Sequence, residues 1–116
     1  MSIRQTIVRM EDAMNLFIGS GRLTRNAIVN GTDNKAVKFT IAAKNRENAK
    51  NSRVEFIPCV LFNPPEEIEE FLKNDGKGVP VKFEGRVANS KFQVDGQNRY
   101  KTEVIVDEKT FNIMKN

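Results

Sequence analysis

The chain has 116 residues, and its nineteen lysines and arginines against fifteen aspartates and glutamates give a formal charge of +4. One cysteine and no histidine exclude an internal disulfide, the usual zinc sites and histidine-based acid–base chemistry. No apolar run approaches the ~20 residues of a membrane span. We therefore expect one soluble, cytoplasmic domain that is not an enzyme, needs no cofactor or metal and contacts no membrane.

Residues 1–13 place Ile3, Ile7 and Met10 near helical spacing, and both a short helix and an extra strand remain open. We treat this segment as an N-terminal extension that precedes a single domain over residues 14–116. The first strand is predicted from Asn15 to Leu23. Its glycines indicate a sharp bend in a curled sheet rather than a phosphate-binding loop, because no helical pattern follows them.

The next strand is predicted from Ala36 to Ala43, where Val37, Phe39 and Ile41 alternate with polar residues. Phe39 is expected in the core. Residues 44–53 are then rich in basic residues and asparagine, which favours a long, basic hairpin loop.

The central strand is predicted from Arg53 to Phe62, and neither of its faces is polar. Ile57, Cys59 and Leu61 share one face, and the opposite face carries Phe56, Pro58, Val60 and Phe62. Since one face of a small antiparallel sheet normally meets water, the two phenylalanines need another layer, a partner chain or a flat ligand. Cys59 is interpreted as a small buried hydrophobe.

A helix follows, with Asn63 as the predicted cap, a glutamate-rich first half on the solvent side, and Ile68, Phe71 and Leu72 as the buried stripe. Asn74-Asp75-Gly76 ends it. Residues 64–78 contain five acidic and two basic residues, so their local charge of −3 leaves +7 for the rest of the chain. We expect this helix to plug a barrel end and to avoid polyanions.

A further strand is predicted from Val79 to Val87, with Val87 inward and a kink at Gly85. Residues 91–107 then form a projecting hairpin, with its turn predicted over Asp95-Gly96-Gln97-Asn98 and its second arm from Arg99 to Asp107. The order of elements is typical of an all-β fold with one short helix, namely a five-stranded OB barrel with the helix between strands 3 and 4.

Exposed aromatic rings beside cations are what a sequence-tolerant binder of single strands requires, because bases stack on the rings and phosphates pair with the cations. Three rings meet this description: Phe56, Phe62 and Phe92. The cations expected beside them are Lys38, Lys44, Arg46, Lys50, Arg53, Lys82, Arg86, Lys91, Arg99 and Lys101.

Five segments, in order, resemble motifs of the bacterial and phage single-stranded DNA-binding protein family. The first two are Met14-Asn15 with Ile18 and Gly21-Arg22-Leu23, similar to M-N-x-x-x-L-x-G-R-L, and residues 37–42, similar to A-x-F-x-L-A. The central strand resembles E-[WF]-x-x-x-V-x-F. The most specific are residues 84–87, similar to E-G-[RK]-[LV], and residues 95–104, similar to D-x-x-G-x-x-R-Y-x-T-E-V.

The resemblance implies an OB fold and a homo-oligomer, a dimer or usually a tetramer. It also implies sequence-independent protection of single-stranded DNA in replication, recombination and repair, with Phe56, Phe62 and Phe92 at stacking positions. A family aromatic expected near Arg46 or Glu47 is absent, as is the acidic, Phe-ended C-terminal tip that recruits other replication and recombination proteins. A compact, tail-less chain fits a phage or mobile-element protein, or a primosomal relative.

One alternative from another class remains open. An OB-fold protein-interaction or primosome-type accessory module would use the same phenylalanine face to bind a protein, and its basic loops would be merely solvated. RNA in place of DNA also stays open.

Overall fold

The computed structural model describes residues 14–46 and 52–114. Residues 1–13, 47–51, 115 and 116 lie outside the described residues, and with them the N-terminal extension and Lys50. The elements, in chain order, are β1 (Phe17–Leu23), β2 (Ile28–Asn30), β3 (Ala36–Arg46), β4 (Ser52–Phe62), α1 (Glu66–Asp75), β5 (Pro80–Val94), β6 (Gln97–Val106), a single 3₁₀ turn (Glu108–Thr110) and β7 (Asn112–Ile113).

The strands close into a barrel. Hydrogen-bonded neighbours follow the order β1-β3-β4-β6-β5, and β5 pairs in turn with β1 to complete the ring. The predicted barrel of five long strands, with the helix after the third of them, is confirmed. The sheet also contains two short strands that were not predicted, because each is too short to show an alternating pattern. β2 pairs with β3, and β7 pairs with β5.

The β3–β4 ladder is longer than predicted. It runs without a break from Ala36 opposite Phe62 to Arg46 opposite Ser52. The prediction of a basic loop that begins at residue 44 is therefore wrong, since Lys44 belongs to β3, whereas Arg53 belongs to β4, as the predicted bounds of the central strand required. The polar side chains at this end of β3 hid the strand pattern, although backbone pairing does not require apolar side chains at a sheet end.

Strand β5 changes partner at Gly85, which pairs with Phe17 of β1 on one side and with Val106 of β6 on the other. A Cβ at Gly85 would collide with the carbonyl oxygen of Ile105, so this barrel corner requires a glycine. Val87 lies just past the corner and is 41% exposed. It projects to the same side as the buried Val104 opposite it, as predicted, but it is not covered because β5 there leaves the barrel.

The core is built around Phe83, which is 1% exposed. The Phe39 ring meets it edge-on at 6.2 Å between centroids, and the rings of Phe17 and Phe111 stack on it at 5.9 and 6.2 Å. Phe39 is 4% and Cys59 1% exposed, so both predictions of burial are confirmed. Phe111 brings the end of the described chain back onto the barrel.

Helix α1 covers one end of the barrel through Leu72, which is fully buried in the core cluster. Its carbonyl oxygen accepts a hydrogen bond of 2.9 Å from the amide of Ala27. Phe71, predicted as buried, is 36% exposed because the barrel end accommodates only a narrow stripe of the helix. No helix within residues 14–46 and 52–114 is both long and apolar enough to span a membrane.

Two further predictions about this helix are wrong. Asn63 does not cap it, because the N-cap is Pro65 and no side chain bonds there. Asn63 instead accepts a hydrogen bond from the amide of Lys35 and donates one to Asn34, both at 2.8 Å. Glu69, expected on the solvent side, is 4% exposed and pairs with the Lys35 ammonium at 3.1 Å.

Candidate nucleic-acid interface

The ladder between β3 and β4 gathers the predicted residues on the outside of the barrel. Phe56 lies opposite Ala42, and Phe62 lies opposite Ala36. Directly opposed residues project from the same side of a sheet, and the inward neighbour Leu61 is fully buried. We call the outer side of β3 and β4 that carries Phe56, Phe62 and Lys38 the aromatic face.

Both rings of the aromatic face are open to solvent. Phe56 is 66% exposed and Phe62 47%. Their cross-strand partners are alanines, whose single methyl groups cannot cover a ring. Each ring therefore presents a flat apolar surface, of the kind that stacks against a nucleobase. Val60 is the exception on this side of β4: it is paired on both sides, by Lys38 and Ile105, and is 1% exposed.

A groove of about 210 Å³ opens on the aromatic face at Lys38, Thr40 and Pro58. Three cationic residues line it, Arg25 from the segment after β1, Lys38 from β3 and Lys101 from β6. Pro58 of the aromatic face and Glu103 of β6 also line the groove. Cations clustered beside stacking surfaces suit a chain of phosphates.

Arg25 and Ile28 line this groove, and sequence reasoning missed both. Ile28 lies opposite Lys38 and is 60% exposed. Arg25 follows Arg22 of the first strand by three residues, and this basic pair was an available signal for Arg25. Ile28 had none, because β2 is only three residues long.

Strands β5 and β6 continue past the barrel as a two-stranded arm. They turn at Asp95 and Gly96, whose φ values of 52° and 79° define a two-residue hairpin turn of the favoured kind. The predicted four-residue turn is too long, because Gln97 and Asn98 already pair with β5. Phe92 lies near the tip, opposite Arg99, and is 43% exposed. Arg99 and Lys101 alternate onto the same side of the arm. Since Lys101 also lines the groove, this side of the arm continues the aromatic face.

Three of the predicted cations belong to the aromatic face or the continuing side of the arm: Lys38, Arg99 and Lys101. Lys44 lies on the same side of β3 by register, opposite Val54 at the end of the ladder, but it lines a separate cleft with Lys82. Arg46 lies on the same side of β3 by register, opposite Ser52. Its side chain is not among those that the structure describes, and neither is any part of Lys50.

The remaining cations lie elsewhere. Arg53 and Lys91 alternate onto the opposite sides of their strands, and Lys91 there faces Tyr100. Lys82 pairs with Ser20 of β1. It lines a separate cleft of about 480 Å³ with Glu55 and Lys44. Arg86 lies opposite Ile105, on the side of β5 that also carries Phe92, but it lines a third cavity, beside Leu16 and Glu84, and not the groove.

Cys59 is the chain's one thiol. Burial, reinforced by the nearby carboxylate of Glu103, raises the pKa of the Cys59 thiol to about 12. A thiol with this pKa stays protonated at neutral pH and is a poor nucleophile and metal ligand. In the part of the chain that the structure describes, no group of three or more acidic or cysteine side chains is placed to hold a metal ion.

Comparison with known proteins gives a consistent result. The model of the Single-strand binding protein family matches residues 14–112. Single-stranded DNA-binding protein 1 of Clostridium acetobutylicum is 32% identical over 105 residues, which cover 84% of this chain and 93% of the relative. Single-stranded DNA-binding protein of Clostridium tetani is 31% identical over 104 residues, which cover 84% of this chain and 70% of the relative.

A solved structure extends this result to the fold. The Plasmodium falciparum SSB in complex with ssDNA matches with a TM-score of 0.69 at 19% identity, over 91% of this chain and 97% of that chain. At this identity the likeness concerns the fold alone, and it confirms the predicted OB barrel.

Proposed function

Because the chain belongs to the single-strand binding protein family, we propose that it binds single-stranded DNA without sequence preference on the aromatic face. The observation that carries this proposal is the pair of open rings, Phe56 and Phe62, across from two alanines and beside Lys38. The names of the clostridial relatives and the DNA-bound state of the Plasmodium protein support it.

Binding combines two kinds of contact. Bases stack on Phe56, Phe62 and Phe92. Each stacked base contributes ~1–3 kcal/mol to the binding free energy, and a phenylalanine ring is expected to give a value at the lower end of this range. Phosphates pair with the cations of the groove and the arm. Stacking is tolerant of sequence because every base has a flat face, and ionic pairing reads only the backbone.

The cellular role follows from such binding. A protein that covers unpaired strands without regard to sequence protects them during replication, recombination and repair, which take place in the cytoplasm of a bacterial cell. We assign this role to a domain that begins at residue 14, preceded by the extension over residues 1–13.

Assembly is the second part of the proposal. Met14, Leu16 and Ile18 alternate onto the outer side of β1 and its approach, and they are 81%, 55% and 61% exposed. Contiguous exposed apolar side chains on a sheet mark an interaction surface. We propose that a second copy of the chain covers this stripe, in a dimer or tetramer.

The direct test is an anisotropy titration of end-labelled oligo(dT) of increasing length with the full chain. Tight binding that depends on length and weakens with salt is the expected result. Absence of binding at low salt would contradict the proposal and leave the alternative that the aromatic face binds a protein. A parallel titration with oligo(U) measures the preference for DNA over RNA.

A further inference from the structure

The β5–β6 arm has a second side, opposite to the one that carries Phe92, and this side presents a single aromatic ring. Tyr100 is 71% exposed, the highest value among the aromatic side chains that the structure describes. It lies directly opposite Lys91, just as Phe92 lies opposite Arg99. Each side of the arm therefore has a ring across from a cation. We call the side with Tyr100 and Lys91 the second side of the arm.

The neighbours of Tyr100 on the second side of the arm are polar and bond to each other. The Thr102 hydroxyl donates to Asn89 Oδ1 at 2.7 Å, and the Gln93 amide donates to Asn98 Oδ1 at 3.4 Å. Interfaces between subunits have an apolar centre from which charged groups are depleted. A lone ring between two polar rows and across from a lysine instead suits a ligand with flat faces and negative charge.

One strand of nucleic acid can contact both sides of the arm because the β6 edge between them is open. Within the described residues, β6 pairs with β4 only where both belong to the barrel wall, so residues 97–103 pair with β5 alone. Arg99 and Lys101 flank Tyr100 at about 3.3 Å per residue and project to the opposite side. A strand that crosses this edge keeps its phosphates beside two cations while a base reaches Tyr100.

We propose that Tyr100 is a fourth base-stacking residue, and that the bound strand passes over the β6 edge onto the second side of the arm, where Lys91 contacts a phosphate. This inference rests on the proposed single-strand binding and lengthens its path. It agrees with binding that is tolerant of sequence, since stacking and phosphate contacts read no base edge. It also gives a role to Lys91, which the register places away from the aromatic face.

The first test uses the unaltered chain. It contains one tyrosine and no tryptophan, so its intrinsic tyrosine emission reports on Tyr100 alone. The chain is titrated with oligo(dT) of about 16 nucleotides, the upper end of the length that one OB fold covers, and the anisotropy of an end label follows binding in parallel. A base stacked on the ring is expected to quench most of the emission at saturation.

Unchanged emission at saturation would overturn the role of Tyr100 and leave the proposed function intact. Failure of the oligonucleotide to bind at all would count against the proposed function itself.

The second test separates the ring of Tyr100 from its hydroxyl group. Tyr100→Ala should bind the same oligonucleotide about tenfold more weakly, the lower end of the effect of one stacked base. Tyr100→Phe keeps a flat ring and should bind as the unaltered chain does. Phe71→Ala, which removes an exposed ring of α1, is the matched control and should also keep full affinity. Full affinity in Tyr100→Ala, or an equal loss in Tyr100→Phe, would overturn stacking on this ring.

A third measurement distinguishes nucleic acid from a second copy of the chain as the group that covers Tyr100. In sedimentation without DNA, Tyr100→Ala should keep the mass of the unaltered chain, and a lower mass would place the ring between subunits and overturn the proposal. For the phosphate contact, Lys91→Gln should lower the magnitude of the slope of log affinity against log salt by about 0.7. An unchanged slope would remove Lys91 from the path.

Discussion

Lys38 lies directly opposite Val60 across the β3–β4 ladder, between the levels of Phe56 and Phe62 on the facing strand. At about 3.3 Å per residue, it lies roughly 7 Å along the sheet from the level of Phe62 and roughly 13 Å from that of Phe56. In the proposed complex, a phosphate at Lys38 and bases on the two rings would belong to one short stretch of the same DNA strand. The proposed stacking and ionic pairing would therefore be coupled on this face.

Replacing Phe56 or Phe62 by alanine should weaken the binding of oligo(dT) about tenfold per ring, the lower end of the ~1–3 kcal/mol for a stacked base. Because both rings are largely exposed, the thermal midpoint should stay close to that of the unaltered chain. Anisotropy titration and thermal denaturation measure the two effects. Phe71→Ala on α1 is the matched control, and it should bind as the unaltered chain does. A double variant of Phe56 and Phe62 that unfolds would show that the rings are structural.

Lys38→Gln should make the salt dependence of binding shallower. If Lys38 neutralises one phosphate, the slope of log affinity against log salt falls in magnitude by about 0.7 to 1. Lys73→Gln, in the last turn of the acidic helix, removes the same charge and should leave the slope unchanged. Equal slopes for the two variants would exclude a phosphate contact at Lys38.

Introducing charge into the β1 stripe should dissociate the assembly. The double change Leu16→Glu and Ile18→Glu places two carboxylates where apolar contact is proposed, so sedimentation or light scattering should give the mass of a single chain. The control Ile28→Glu alters an equally exposed isoleucine of β2, beside the aromatic face, and should keep the mass of the assembly. If the double variant keeps the mass of the assembly, the stripe is not part of the interface between subunits.

The raised pKa of Cys59 predicts both reactivity and pH dependence. At pH 8 an aromatic disulfide reagent should leave the native thiol unreacted and should label it once the chain is denatured. Cys59→Ala with Ser90→Cys is the exposed control and should react at once. Prompt labelling of the native chain would contradict the burial of Cys59.

The sign of the pH effect follows from proton counts. Between pH 9 and about 12 the folded state keeps the Cys59 proton that the unfolded state releases. The free energy of unfolding therefore falls as pH rises through this window. Denaturant titrations in the lower half of the window should show a steeper fall for the unaltered chain than for Cys59→Ala. Parallel curves would mean that Cys59 has the same pKa in both states.

Lys35→Met should destabilise the domain, because it leaves the carboxylate of Glu69 buried without its partner. One carboxylate oxygen of Glu69 already lacks a hydrogen bond among the described residues. A broken buried pair costs ~3–5 kcal/mol, and the 40% exposure of the Lys35 side chain reduces this to about 1–3 kcal/mol. Urea denaturation measures the loss. Adding Glu69→Met should restore most of it, whereas a stable single variant would mean that water already solvates Glu69.

Local patterns in the sequence were sufficient for the parts of the fold that local physics controls. Alternation over Val37, Phe39 and Ile41 predicted a strand and its buried face, and Asp95-Gly96 predicted the hairpin turn because few other pairs tolerate positive φ. The run from Phe56 to Phe62 showed two apolar faces, which cannot both lie in the core of a small barrel. The fold and the two central rings of the site followed from these features.

Tertiary structure alone decided which of the outward residues meet. Lys38 and Lys82 both alternate outward, but only Lys38 pairs beside the phenylalanines, because ring closure carries Lys82 round to β1. In the same way, Arg25 comes to the groove from a segment with no periodic pattern. Alternation tells which side of a strand a residue takes, but the neighbours on that side depend on strand order and register, which contacts far apart in sequence determine.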